Sequence, residues 1–259
     1  MKKVKKNRIL MFVILCVWVI GMASCSNSKT DLSTNDAADL IVTTNIAASD
    51  TSHSETQSII KVSSHFDGIY DLSDNKVMSE ISDYIALIKV DSIEGVSNIN
   101  RQSGEYISVP YTYGKATVIA EYKGQFEKKT IDFVRDGGTL PYDEWIKGDS
   151  DPEKMKRVRE EAGLGNVSTK NLQVEYQMEN DILLEEGKTY LMFLFQNPTF
   201  NSENEFIIHG YQYGLRELQQ TNVSSYSVQN SSSLKVKNNM TGEWESLFDV
   251  VYLDETELS

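Results

Sequence analysis

From Ser64 onward the apolar content rises and the pattern turns to period two, and a chain patterned this way is built for sheets. In Tyr84–Ile93, Ile85 and Leu87 face one side while Ala86, Ile88 and Val90 face the other. In Thr112–Lys123, Ala116, Val118, Ala120 and Tyr122 share one face, and Gly124 breaks the run. Thr130–Arg135 is a third alternating segment, closed by Asp136-Gly137-Gly138. Leu172–Gln177, Thr189–Gln196 and Glu205–Tyr213 continue the series. Leu191–Phe195 is apolar on both faces, which marks a central strand. One helix interrupts the strands. Asp151 can cap it, Pro152 suits its first position, Met155, Val158 and Ala162 form a narrow apolar stripe, and Gly163 stops it. Such a stripe suits a helix lying on the sheet. A weaker hairpin is expected over Ser224–Val228 and Ser233–Val236. Trp244, Leu247, Phe248 and Val251 have helical spacing and predict a closing C-terminal helix.

The N-terminus says where such a domain works. Lys2, Lys3, Lys5, Lys6 and Arg8 precede an apolar run from Ile9 to Met22, which ends at Ala23-Ser24-Cys25. A basic head, a short apolar middle and a small-residue exit describe a secretory leader. The run is shorter than the roughly 20 apolar residues a membrane-crossing helix needs. Its end resembles the lipobox of bacterial lipoproteins, with Met22 at the position usually held by leucine. The resemblance implies cleavage after residue 24, lipidation of Cys25 and attachment to the outer face of the cell membrane through acyl chains. Cys16 follows the bulky Leu15 inside the apolar run and does not fit that role.

Residues 1–24 carry five basic and no acidic residues, so their removal shifts the formal charge from −13 to −18. Proteins grip nucleic acids with Lys and Arg, and this balance argues against such a partner. The two cysteines are Cys16 and Cys25. A mature domain would then hold neither a disulfide nor a thiolate metal site, and its stability must come from an apolar core. Residues 25–60 are rich in Ser, Thr, Asn, Asp and Ala and read as a tether, with a short strand at Leu40-Ile41-Val42 as the exception. As a random coil, about 35 residues span roughly 30–35 Å. Residues 61–259 form the domain.

Three strands, a helix and further strands follow the order of an OB-fold. Segments Ser82–Ile88, Lys115–Gly124 ending in Lys-Gly, Ile131–Gly138 ending in Gly-Gly, and Gly187–Asn197 opening on Gly-Lys-x-Tyr resemble small secreted Gram-positive proteins. Their arrangement is similar to netrin-like, or TIMP-like, domains. The resemblance runs over Ser82–Gly214 and implies a mainly β, antiparallel OB/netrin-like barrel with one helix between strands 3 and 4. It implies no activity. Inhibitors of that fold use an N-terminal cysteine wedge, and here Cys25 is the acylation site, far from the barrel.

No Gly-x-Ser-x-Gly elbow is present, and His53, His65 and His209 are scattered. His209, between Ile208 and Gly210, reads as a packed strand residue. With three histidines and no His-Glu-x-x-His motif, zinc is not expected. Asp149, Asp151, Glu153 and Glu160 have calcium-loop spacing, but Lys154 stands where such a loop needs glycine, and helix capping accounts for the same acids. Asp67, Asp71 and Asp74 form a second acidic group with no better pattern. No cofactor is implied. The aromatic residues Tyr106, Tyr111, Tyr113, Tyr142 and Trp145 offer flat amphipathic area for a protein or glycan partner; the alternative is that they close the barrel ends as core.

These observations favour a lipid-anchored, non-enzymatic envelope binding protein. An extracellular peptidase inhibitor is a second reading. An envelope hydrolase, with Glu121 and Asp132 paired in a cleft, is a third. A two-lobed solute-binding protein lacks the strand–helix alternation it would need. Cys25→Ala should abolish acyl labelling and release the chain from the membrane fraction; retention of uncleaved mutant there would make the apolar run the anchor.

Overall fold

The computed structural model describes residues 41–45, 58–64, 70–149, 151–196, 204–219 and 233–252, all within the compact unit Ala37–Ser259. The leader, Cys25, His53, His65, Asp67 and the strand expected at 224–228 lie outside the described residues. No helix among them is long and apolar enough to cross a membrane.

In chain order the elements are β1 (Ile41–Asn45), β2 (Ser58–Ser64), α1 (Asn75–Ile81), β3 (Tyr84–Ile99), β4 (Tyr106–Lys123), β5 (Thr130–Asp136), β6 (Gly138–Pro141) and α2 (Tyr142–Trp145). They continue with α3 (Pro152–Glu161), β7 (Leu172–Met178), β8 (Thr189–Gln196), β9 (Glu205–Ile208), α4 (Tyr211–Gly214), β10 (Leu215–Glu217), β11 (Lys235–Lys237), β12 (Trp244–Ser246) and α5 (Leu247–Val250). The protein is mainly β. Its larger sheet runs β10-β8-β3-β4-β5-β9, and β8 also pairs with β9. Pairing therefore passes from β3 through β4, β5, β9 and β8 back to β3. Only β5–β9 is parallel in that circuit.

The alternation read in β3 and β8 sorts side chains into two cores. Ala86, Ile88 and Val90 join Tyr190, Met192 and Leu194 on one side, with Ile131, Phe133 and Phe206. Ile85 and Leu87 join Leu191 and Phe193 on the other, under Met78, Leu234, Val236, Leu247 and Val250. β4 departs from its even pattern. Val118 pairs with Ile88, but Ala120 pairs with Leu87, so Ile119 is an extra residue and the faces exchange there. Ala116 and Val118 thus belong to the first core, and Ala120 and Tyr122 to the second. A bulge inserts one unpaired residue and turns the following side chains over. Nothing in an uninterrupted alternation reveals that inversion.

A second sheet runs β1-β2-β7-β6, with β2 and β7 parallel. It uses part of the stretch expected to be a tether: β1 overlaps the short strand anticipated there, and β2 begins before residue 61. Ile60 and Val62 are buried with Leu172 and Val174, a pairing too remote along the chain to be visible locally. α3 covers this sheet and not the larger one, as Met155 and Val158 share its core. Its start is as anticipated, with Asp151 Oδ1 accepting from the Glu153 and Lys154 amides at 3.0 and 3.1 Å.

The C-terminal helix is shorter than its spacing predicted. Trp244–Ser246 pairs with Lys235–Lys237, leaving one helical turn; Leu247, Val250 and Val251 are buried, but Trp244 and Phe248 are exposed. β9 likewise stops at Ile208. Gly210 and Tyr211 both have positive φ, and the chain reverses into α4. A buried ion pair ties the two sheets together: Arg135 of β5 donates to Asp181, beyond β7, and to the Ile182 carbonyl.

β3 and β4 approach so closely at Gly114 that a Cβ there would lie 2.1 Å from the Ser92 carbonyl oxygen. Gly114→Ala should lower stability by about 1–3 kcal/mol, the usual cost of overpacking, read as a fall in the midpoint of chemical denaturation.

Candidate functional site

The β3–β4 hairpin builds a cavity that combines aromatic, acidic and basic side chains. Toward its tip the extra residues move to β3: Asp91 and Glu94 each lack a partner in the register with β4. Bulges increase twist and re-aim side chains, and Glu94 lines the cavity that the bent hairpin forms against β5 and β9. This cavity measures about 520 Å³, and its lining includes Tyr111, Tyr113, Asp132, Glu205 and Arg101.

The turn between the strands carries Arg101 back over the sheet. Its backbone is held by Asn100, whose side chain accepts from the amides of Gln102 and Ser103 at 2.9 and 3.1 Å. The Asn100 amide reaches the Glu105 carbonyl at 2.7 Å. The guanidinium lies 4.8 Å from the Tyr113 ring centre and 5.4 Å from that of Tyr111. Its Nη1 donates to Glu205 Oε2 at 2.7 Å. The Glu205 side chain is only 9 % exposed, against 31 % for Arg101. Lys115 contacts Asp132 at 2.7 Å and Glu94 at 3.7 Å. The Tyr111 hydroxyl donates to the Ile99 carbonyl at 2.8 Å, fixing that ring to the hairpin.

Of the five aromatic residues singled out in the sequence, Tyr111 and Tyr113 converge here. Tyr106 stands at the outer end of β4, exposed beside Lys147. Tyr142 and Trp145 are buried at 3 % exposure in the core of the smaller sheet, and the Tyr142 hydroxyl donates to the Met155 carbonyl. Both rings pack in this core because α2 turns inward directly after β6, and Tyr142 also borders a second cavity of about 520 Å³, where the Arg159 guanidinium lies 5.5 Å from its ring centre. Sequence reasoning passed over Arg101, Glu94 and Glu205. Arg101 and Glu205 are 104 positions apart, so no local spacing connects them.

The other candidates resolve into local structure. Asp151 caps α3, Asp149 pairs with Lys154 at 2.8 Å, and Glu160 faces Lys156. Asp71 accepts from Ser73, and Asp74 caps α1. Among the described residues, no group of three or more His, Cys, Asp or Glu side chains is placed to hold a metal ion. Glu121 pairs with Lys129, whereas Asp132 pairs with Lys115 and sits opposite it in the sheet. Lys115 and Glu121 lie six positions apart along β4, roughly 20 Å of strand, so the two acids do not share a cleft.

His209 follows β9 and does not lie within it. It stacks on Phe195 with ring centres 3.8 Å apart and contacts the Ser82 hydroxyl at 2.8 Å. Ser82 spends its proton on the Met78 carbonyl at 2.6 Å, which assigns the His209 Nε2–H as donor to Ser82. The ring borders a cavity of about 540 Å³ with Tyr70, Leu72, Asp136 and Tyr211. Burial lowers its pKa to about 4 and raises that of Asp136.

No protein family, characterised protein or solved structure matches this chain.

The unfolded imidazole titrates near 6.5 and the folded one near 4, so the folded state binds fewer protons between those values. The His209 contribution is complete above about pH 6.5 and drains as pH falls toward 4, by at most about 1.4 kcal/mol per pH unit. In denaturation at stepped pH, His209→Phe should lose less stability than wild type over that window. Asp136 titrates in both proteins and cancels. A gap independent of pH would show that the imidazole is not held neutral.

Proposed function

We propose that this is a lipid-anchored envelope protein that binds a protein or glycan partner through the Tyr111–Tyr113 cavity of an OB-like, netrin-like barrel. The barrel reading rests on the order of pairing. Counting β3, β4, β5, β8 and β9 as strands one to five, the circuit is one-two-three-five-four-one with its single parallel contact between three and five. α3 falls between the third and fourth of these strands. An OB-fold binds through the face of its second and third strands and the loop joining the first two. Tyr111 and Tyr113 of β4, Asp132 of β5 and Arg101 of the β3–β4 turn occupy those places.

The observation that carries the reading is this convergence of two tyrosine rings, a guanidinium and a buried carboxylate in one open cavity. Aromatic faces beside charged groups suit recognition. Arg101 pairs with Glu205, and Lys115 with Asp132 and Glu94, across the site, an arrangement that orients a bound group. Attachment outside the cytosol follows from the leader and Cys25. Crosslinking on intact cells, followed by recovery of the protein, tests the proposal. Tyr113→Ala should lose the captured partner while retaining the cooperative thermal transition of the wild type. Capture undiminished by Tyr113→Ala would place binding elsewhere.

A further inference from the structure

We infer that the Tyr111–Tyr113 cavity is a cradle for a cationic side chain, that Arg101 occupies it in the unbound protein, and that an arginine from a basic segment of a partner protein displaces it. The inference rests on the binding reading above and names the chemistry of the bound group.

The lining carboxylates Glu94, Asp132 and Glu205 face two cations, Arg101 and Lys115. With Arg101 withdrawn, an anionic ligand would meet these three acids and a neutral one would not replace the lost charge, whereas an incoming guanidinium restores the contact to Glu205. The geometry around the Arg101 guanidinium has both parts of a guanidinium site. Ring faces lie 4.8 and 5.4 Å from it, and the buried Glu205 accepts from it at 2.7 Å. Cations over tyrosine faces gain electrostatic attraction, and arginine combines stacking with directed hydrogen bonds to a carboxylate.

Arg101 is suited to leave. Its side chain is about one-third exposed, at the mouth, while the carboxylate it serves is inside. The turn carrying it is closed by Asn100 contacts that do not use the arginine side chain. Moving the guanidinium outward therefore needs no change in the turn's backbone. The net charge of −13 draws a basic partner toward the protein before contact.

The test uses the full chain in detergent, titrated calorimetrically with Nα-acetylarginine amide and with the citrulline analogue, which keeps the shape and lacks the charge. Arg101→Ala should bind the arginine probe at least ten-fold more tightly than wild type and should not bind citrulline. Arg101→Gln, which keeps more of the stem, should behave the same way and covers the case in which the alanine variant fails to fold. Adding Glu205→Gln to either should abolish the gain. Equal affinity of wild type and both variants for the arginine probe, or equal binding of citrulline, overturns the inference. If the probe is refused but Tyr113→Ala still loses its crosslinked partner, the cavity binds something other than a cation and only the present inference fails. If Tyr113→Ala keeps its partner, the binding reading fails as well.

Discussion

The antiparallel pairing of β3 with β4 slips out of step repeatedly, and the rest of the fold is arranged around those slips. Extra residues fall on β4 at Ile119 and Tyr122 and on β3 at Asp91 and Glu94. An evenly matched pair this long would extend as a ribbon with one apolar and one polar face. Each slip adds twist, and the exchange at Ile119 lets one strand feed both cores. The same slips bend the hairpin back until its turn overlies β4, which brings Arg101 above Tyr111 and Tyr113. At Gly114 the two backbones pass so closely that no side chain fits between them.

The two sheets are joined by polar contacts as well as by chain continuity. Arg135 and Asp181 are both almost fully buried. Desolvation works against the charged pair, and removing one partner alone would strand the other. Asn98, near the end of β3, donates to the carbonyls of Glu144 and Trp145 in α2. These contacts are directional, so they fix the orientation of the smaller sheet in a way that apolar contact alone does not. His209 has a comparable place at the edge of the larger sheet, where its ring is buttressed by Phe195 and bonded to Ser82.

Much of the fold was legible because burial and pleat impose the same two-residue period. The sides assigned to Ile85–Val90 match the two cores, the doubly apolar run Leu191–Phe195 feeds both, and Asp151 with Pro152 marked the start of α3. What escaped is what local pattern does not encode. The face exchange at Ile119 depends on the partner strand. The burial of Ile60 and Val62 depends on β7. Trp244 was drawn into a helical reading by its spacing from Leu247, yet strand pairing with β11 claims it. At the site, amphipathic aromatic area pointed to Tyr111 and Tyr113. They also pointed to Tyr142 and Trp145, since an amphipathic ring has the same signature whether it closes a core or meets a ligand. Glu205 gave no local sign, being an ordinary acid at the start of a strand.

The parallel pairing of β2 with β7 has a consequence for the order of assembly. Ser58 finds its neighbour at Leu172, more than a hundred residues later in the chain. A polypeptide that emerges from its N-terminus must therefore carry Ile60 and Val62 uncovered until β3, β4, β5, β6 and α3 have been delivered. Contacts of such long sequence separation close slowly, and unpaired apolar strands are prone to association while they wait. β2 is thus delivered early but stays unzipped on that side until β7 arrives, and over that interval the growing chain offers an unpaired strand edge to its neighbours.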